Sequence, residues 1–302
     1  MNGTNMRCSF LDLNLEQTGE TFIASILTCI FNAVFSPITS TGNIIILNVI
    51  WKTQELHSPS FMLLFCLAAS DLLVGLVCQP LFVAYQIAEL LNNFRAYCIL
   101  RMTQNISGWI TVGVSLFTLS AVSIDRLLAL ILHLRYSSIV TGSRVLRIAI
   151  FLWIGNVTVV ILRFWVKDWI FIPLVVILLS FLVTAISSLK IFHIVRKHKR
   201  QIIEQQQSTQ LSAVKMLKCR KSAVTVLCFY GLFLIFYFPF FVTMFLETHL
   251  GYTLKVKITY DYTTSIVFAN SCLNPIVYCW RIKEIRLAVK NTLRKCRREP
   301  SK

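Results

Sequence analysis

The chain has 302 residues, 56% of them hydrophobic and 14% charged, against about 25% charged in soluble domains. Its formal net charge is +17 and its mean hydropathy +0.69. So much apolar side chain cannot be covered in one water-facing core, which excludes a soluble globular domain. The basic excess sorts to one side of the predicted membrane topology, which argues against nucleic acid as the partner.

Residues 1–21 form an N-terminal segment with Asp12, Glu16 and Glu20. It lacks the basic start and apolar stretch of a signal peptide, so the first span is expected to act as its own insertion signal. The tripeptide NGT at 2–4 is a glycosylation sequon with Asn2 as the acceptor. Asn105 and Asn156 match the same pattern but fall inside predicted spans.

Seven apolar runs follow. Six are free of Asp, Glu, Lys and Arg: 21–51, 102–124, 148–162, 169–189, 222–246 and 262–280. The other, Leu56 to Ala88, is interrupted by His57 and Asp71. A span needs roughly 20 apolar residues, so 148–162 crosses only if Arg147 and Arg163 snorkel outward. Lipid offers no partner to backbone groups, and the runs are apolar all round rather than alternating, so the spans are helices and not barrel strands. The predicted helices lie near 22–51, 58–88, 95–130, 144–165, 169–198, 214–247 and 258–281. A segment at 282–295 has Ile282, Ile285, Val289 and Leu293 at helical spacing among basic residues, the pattern of a helix lying on a membrane surface. The expectation is an all-α, seven-helix transmembrane domain over 1–302, with 22–281 as the bundle and 282–302 as a surface helix and short tail.

If the N-terminus is outside, the inner segments hold 23 of the 30 Lys and Arg residues: Lys52 in the first loop, 4 in the second, 9 in the third and 9 in the tail. The outer segments hold Arg7, Arg95, Arg101, Arg163, Lys167, Lys255 and Lys257. This predicts N outside and C inside. Of ten cysteines, Cys8 and Cys98 fall at predicted outer positions, where a pair can oxidise. Cys296 follows the basic surface segment and is a candidate for palmitoylation.

Polar residues inside spans are functional candidates by default. Asp71 is the acid expected deep in the bilayer; Ser115, Asn270, Ser271 and Asn274 supply hydroxyls and amides in the third and seventh runs. A buried carboxylate among such groups suits a hard cation or a hydrogen-bonded structural knot, and the residues alone leave both open. Pro239 and Pro275 predict kinks in spans six and seven. Asp125 and Arg126 stand back to back where the third run ends, as a surface anchor or as a latch whose arginine chooses between Asp125 and the bundle near Tyr278. Zinc-ligand spacing, a phosphate loop and a nucleophilic triad are absent, so no enzyme is predicted. A transporter or channel is the alternative, but would more often show repeats and several intramembrane charges.

The motifs, in order, are those of one family. Gly42–Asn43 in span one, LAASD ending at Asp71, Asp125–Arg126, Trp153, Pro239 and NPIVY at Asn274–Tyr278 resemble the rhodopsin-like (class A) G-protein-coupled receptors along nearly the whole chain. The resemblance implies an extracellular ligand and heterotrimeric G-protein partners at the plasma membrane. It implies an allosteric sodium ion held by Asp71, Ser115, Asn270, Ser271 and Asn274, and no other cofactor. It implies an activation switch of Asp125, Arg126, Asn274, Pro275 and Tyr278, and an eighth helix after Arg281. Leu127 replaces the usual tyrosine, and the inner start of span six, KMLKCRKSAV, offers Arg126 no acid, so the restraint is expected to rest on Asp125 alone, with some ligand-independent signalling. The connection before span five has no cysteine and Ser180 takes the place of the family's usual proline, which resembles the melanocortin receptors and, more loosely, adenosine, cannabinoid and lysophospholipid receptors. Without the loop cysteine, a Cys8–Cys98 bond is the alternative. By position, Arg101, Asn105, Gly108, Tyr237, Met244 and Thr264 are the ligand-pocket candidates. Gly108 stands where amine receptors hold an aspartate and Phe268 where opsins hold the retinal lysine, so neither a classical amine nor retinal is expected. Arg101 and Asn105 suggest an anionic or lipid-like ligand.

Overall fold

The computed structural model describes residues 6–9, 11–13, 16–132, 135–166, 169–204 and 210–298, with side chains described except at 6, 7, 12, 13, 198–229 and 295–298. Asn2, the side chain of Cys296 and the basic start of span six therefore lie outside the described residues.

Among the described residues, eight long helices follow a small hairpin. Strands β1 (Met6–Cys8) and β2 (Leu11–Leu13) pair antiparallel. Helix α1 (Gly19–Lys52) begins at Thr18, whose side chain accepts from the Thr21 amide in a reciprocal cap. Helix α2 runs from Pro59 to Leu90, with proline at its first turn, where no amide hydrogen is needed. Helices α3 (Phe94–Leu132), α4 (Gly142–Leu162), α5 (Phe171–Glu204), α6 (Gln210–Leu250) and α7 (Leu254–Arg281) complete the bundle. Pro239 and Pro275 lie inside α6 and α7, and α8 (Lys283–Arg298) packs against α1 and α7. The helices run past the charge-free stretches at most ends. Terminal charged residues can reach water or one another, so they do not stop a helix.

Helix α3 touches α2, α4, α5 and α6 and forms the spine of the bundle. Large apolar side chains such as Phe151, Leu189 and Ile235 point outward and are 65–73% exposed; that surface suits lipid rather than water. Among the described residues, α1–α6 are each long and apolar enough to cross a membrane. Helix α7 falls short of that hydropathy because Lys257, Asp261, Asn270, Ser271 and Asn274 lie on it, and all five are buried. Its polar side chains face the bundle interior, where Lys257, Ser271 and Asn274 bond to residues of α2.

Candidate functional site

Polar groups form three levels inside the apolar bundle. At mid-depth, α2 inserts Asp71, which is fully buried. One carboxylate oxygen accepts from Ser271 at 2.7 Å and Ser115 at 3.4 Å; the other accepts from Asn274 at 2.7 Å. Ser70 lies 3.0 Å from the Ser115 hydroxyl and extends the group. Asn270 is buried beside Tyr237 rather than on the carboxylate. The hydroxyl and carboxylate oxygens of Asp71, Ser115 and Ser271 form a donor set that fits a hard cation, because the serine hydroxyls can rotate to offer lone pairs.

Toward the C-terminal face, Asp125 is 4% exposed. It accepts from Tyr136 Oη at 2.6 Å and Ser60 Oγ at 2.7 Å, while Arg126 Nε sits 3.6 Å away with its side chain 31% exposed. Tyr136 opens a helical turn, Tyr136–Ile139, in the α3–α4 connection. Burial, then the bond to Asp125, raises the Tyr136 hydroxyl above its ordinary range, so it remains a donor. Among the described residues Arg126 pairs with Asp125, and that carboxylate is itself held by α2 and by the α3–α4 connection. Sequence reading passed over Ser60 and Tyr136 because only helix packing brings them to Asp125. Tyr278 is fully buried on α7, and Pro275 sits against Gly42, where an added Cβ would meet the proline ring at 3.3 Å.

Toward the N-terminal face lies a cavity of about 20 Å³, lined by Asn105, Gly108 and Thr264 among the pocket candidates and by Gln104, Trp109, Phe240, Tyr260 and Phe268 besides. It has room for about one water. Arg101, Tyr237 and Met244 are buried but do not line it. The Thr264 hydroxyl is buried without a hydrogen-bond partner among the described residues. Asn105 accepts from the guanidinium of Arg163, which stacks on Trp169 with 4.8 Å to the ring centroid. Among the described residues, no charged side chain lines the cavity.

Above the cavity, near the ends of the spans, four further ionisable side chains are buried between helices. Glu89, Arg101, Lys257 and Asp261 are each buried, at 6%, 4%, 1% and 3% exposure. They border the charge-free runs by a turn or so, and the long helices carry them inward. Lys257 donates to Glu89, and Arg101 Nη1 lies 3.7 Å from Asp261. The hairpin is joined to this end: Cys8 and Cys98 form a disulfide with Cα atoms 5.6 Å apart.

The comparisons agree with the motifs. The profile of the 7 transmembrane receptor (rhodopsin family) matches residues 42–171 and 166–278. Trace amine-associated receptor 7f of Mus musculus is 26% identical over 283 residues, 83% of this chain and 78% of that protein. The histamine H2 receptor of Cavia porcellus is 25% identical, covering 83% and 75%, and melanocortin receptor 5 of Mus musculus is 24% identical, covering 82% and 78%. With a family profile covering well over half the chain and the buried motif residues on the helices that carry them, the protein belongs to the rhodopsin family of seven-transmembrane, G-protein-coupled receptors.

Proposed function

We propose that the receptor sits in the plasma membrane with its N-terminus outside, takes a ligand near Asn105, Gly108 and Thr264, and acts on a heterotrimeric G protein through the inner end of α3. The observation that carries this is the vertical order of buried polar groups. The neutral cavity, the Asp71 cluster and the Asp125 cluster lie one below another, linked by α2, α3 and α7. Helix α3 contributes to all three levels, α7 to the cavity and the Asp71 cluster, and α2 to the Asp71 and Asp125 clusters, so a shift of α7 at the cavity is felt at Asp71 and passes on through α2 and α3. Bistable polar contacts of this kind are what a two-state bundle needs.

In this reading Asp71, Ser115 and Ser271 hold a sodium ion that favours the resting packing, with Asn270 and Asn274 on the neighbouring turns. Arg126 leaves Asp125 on activation and meets the G protein, while Tyr278, next to Pro275, moves with the inner half of α7. Gly108 supplies no counter-ion for an amine, which argues against the amine class named for two of the relatives. The anionic reading of Arg101 loses support, because that guanidinium already faces Asp261. Asn2 remains a glycosylation candidate and Cys296 a lipidation candidate by position.

The test is nucleotide exchange on purified heterotrimeric G proteins by the receptor in lipid. Wild-type chain is expected to accelerate exchange, and Arg126→Ala to abolish the acceleration at unchanged receptor yield. Equal exchange with and without receptor across the G-protein classes overturns the reading.

A further inference from the structure

Helix α7 places Lys257 and Asp261 one turn apart on a single face, and the two reach different neighbours. Lys257 donates to Glu89 at the end of α2, and Asp261 pairs with Arg101 near the start of α3. Asp261 also accepts from Tyr85 Oη at 3.1 Å, and Arg101 donates to the hydroxyl of Tyr252 in the α6–α7 connection. The Arg101 guanidinium lies 4.9 Å from the Tyr85 ring centroid and 5.5 Å from that of Tyr252. Two positive and two negative side chains cancel in a region from which water is excluded.

Such an arrangement is a poor way to gain stability, since well-packed apolar residues do as well, but it specifies register strongly. Rotating or sliding α7 by one residue breaks both pairs at once and leaves buried charges uncompensated. The network is also incompletely satisfied: among the described residues Arg101 Nε and Nη1 and Glu89 Oε2 have no hydrogen-bond partner. Groups left so are costly to hold and ready to be exchanged. The position is telling too. Arg101 is one turn above Gln104 and Asn105 on α3, and Asp261 adjoins Tyr260 on α7; those neighbours are walls of the cavity. The pairs therefore set the separation of the two walls.

We propose that Glu89, Lys257, Arg101 and Asp261 are positioning residues, a clasp that holds α7 against α2 and α3 over the ligand cavity and keeps the unliganded receptor at low activity. The ligand acts by separating what the clasp joins. This rests on the receptor reading above.

The experiment uses the full chain in lipid with Glu89→Gln, Lys257→Met, Asp261→Asn and the exchanged pair E89K/K257E. Two quantities are read: basal nucleotide exchange per folded receptor, and the distance between spin labels at the exposed positions Leu91 and Lys255. Each single substitution is expected to lengthen or broaden the label distance and to raise basal exchange about tenfold or more, given the cost of an unpaired buried charge. The exchanged pair is expected to restore both. A merely structural role predicts lower exchange per folded receptor in the singles and no rescue, which overturns the proposal, as does an unchanged label distance in Asp261→Asn. Unchanged exchange in the singles also overturns it, provided Asp125→Asn does raise exchange. If no variant, Asp125→Asn included, exchanges nucleotide while the label distances respond and are rescued, the receptor reading has failed and the positioning role stands.

Discussion

Asp125 shows how much a single carboxylate can hold. Its two oxygens serve Ser60 of α2, Tyr136 of the α3–α4 connection and Arg126, so releasing the arginine does not free the acid. A hydrogen bond to a charged group contributes about 1.5–3 kcal/mol, and about 1.4 kcal/mol is tenfold in an equilibrium. Tyr136→Phe removes one donor without removing the ring. Basal exchange is expected to rise about tenfold, and an unaltered basal rate in the purified receptor would show that Tyr136 anchors the connection only. At Asp71 the expectation concerns the ion. Replacing sodium with N-methylglucamine should raise basal exchange of the wild type, and Asp71→Asn should make exchange insensitive to that replacement. Asp71 itself was legible because an acid in an apolar run has few bland explanations. Ser60 and Tyr136 were not, since nothing in their local sequence separates them from solvated hydroxyls.

Among the elements, α2 departs most from a regular helix. Its hydrogen bonding widens to a π turn at Val74–Cys78, which sequence periodicity does not announce. The turn brings Gly75 against α1: its carbonyl accepts from Ser36 Oγ at 2.7 Å, and a Cβ on Gly75 would stand 2.9 Å from the Ser40 backbone nitrogen. Backbone cannot give way as a flexible side chain can. Gly75→Ala should therefore lower the melting temperature by the equivalent of about 1–3 kcal/mol, read in detergent by a thiol-reactive or fluorescence melt. Gly155→Ala, where an added Cβ meets nothing within 4 Å, is the control expected to melt like wild type. The other bundle helices were legible as existing objects because each contains an apolar stretch, and α8 because its apolar residues recur at helical spacing among basic ones. Their ends were less so, since charged residues such as Lys257 and Asp261 continue a helix whenever another helix pairs them.

For the molecule as a whole, the disulfide and the charge asymmetry make separate predictions. Cys8–Cys98 spans 90 residues of sequence and ties the hairpin to the first turns of α3. Closing a loop of that order is worth about 2–5 kcal/mol, so Cys98→Ser should lower thermal stability, and Cys8→Ser should do so equally because either change opens the same bond. The distribution of Lys and Arg predicts that an epitope at the N-terminus is reached by antibody on intact cells and one at the C-terminus only after permeabilisation.

The amino-acid sequence by itself determined that this chain lives in lipid, that its spans are helices, and which family it joins. Those properties follow from local composition and from motifs a few residues long. Only the tertiary structure decided the partners of the buried charges: Glu89 with Lys257, Arg101 with Asp261, and Asp125 with Ser60 and Tyr136. Whether an ionisable group near a helix end faces water, headgroups or an opposite charge depends on which helix packs beside it and at what rotation, and that information is held between distant segments.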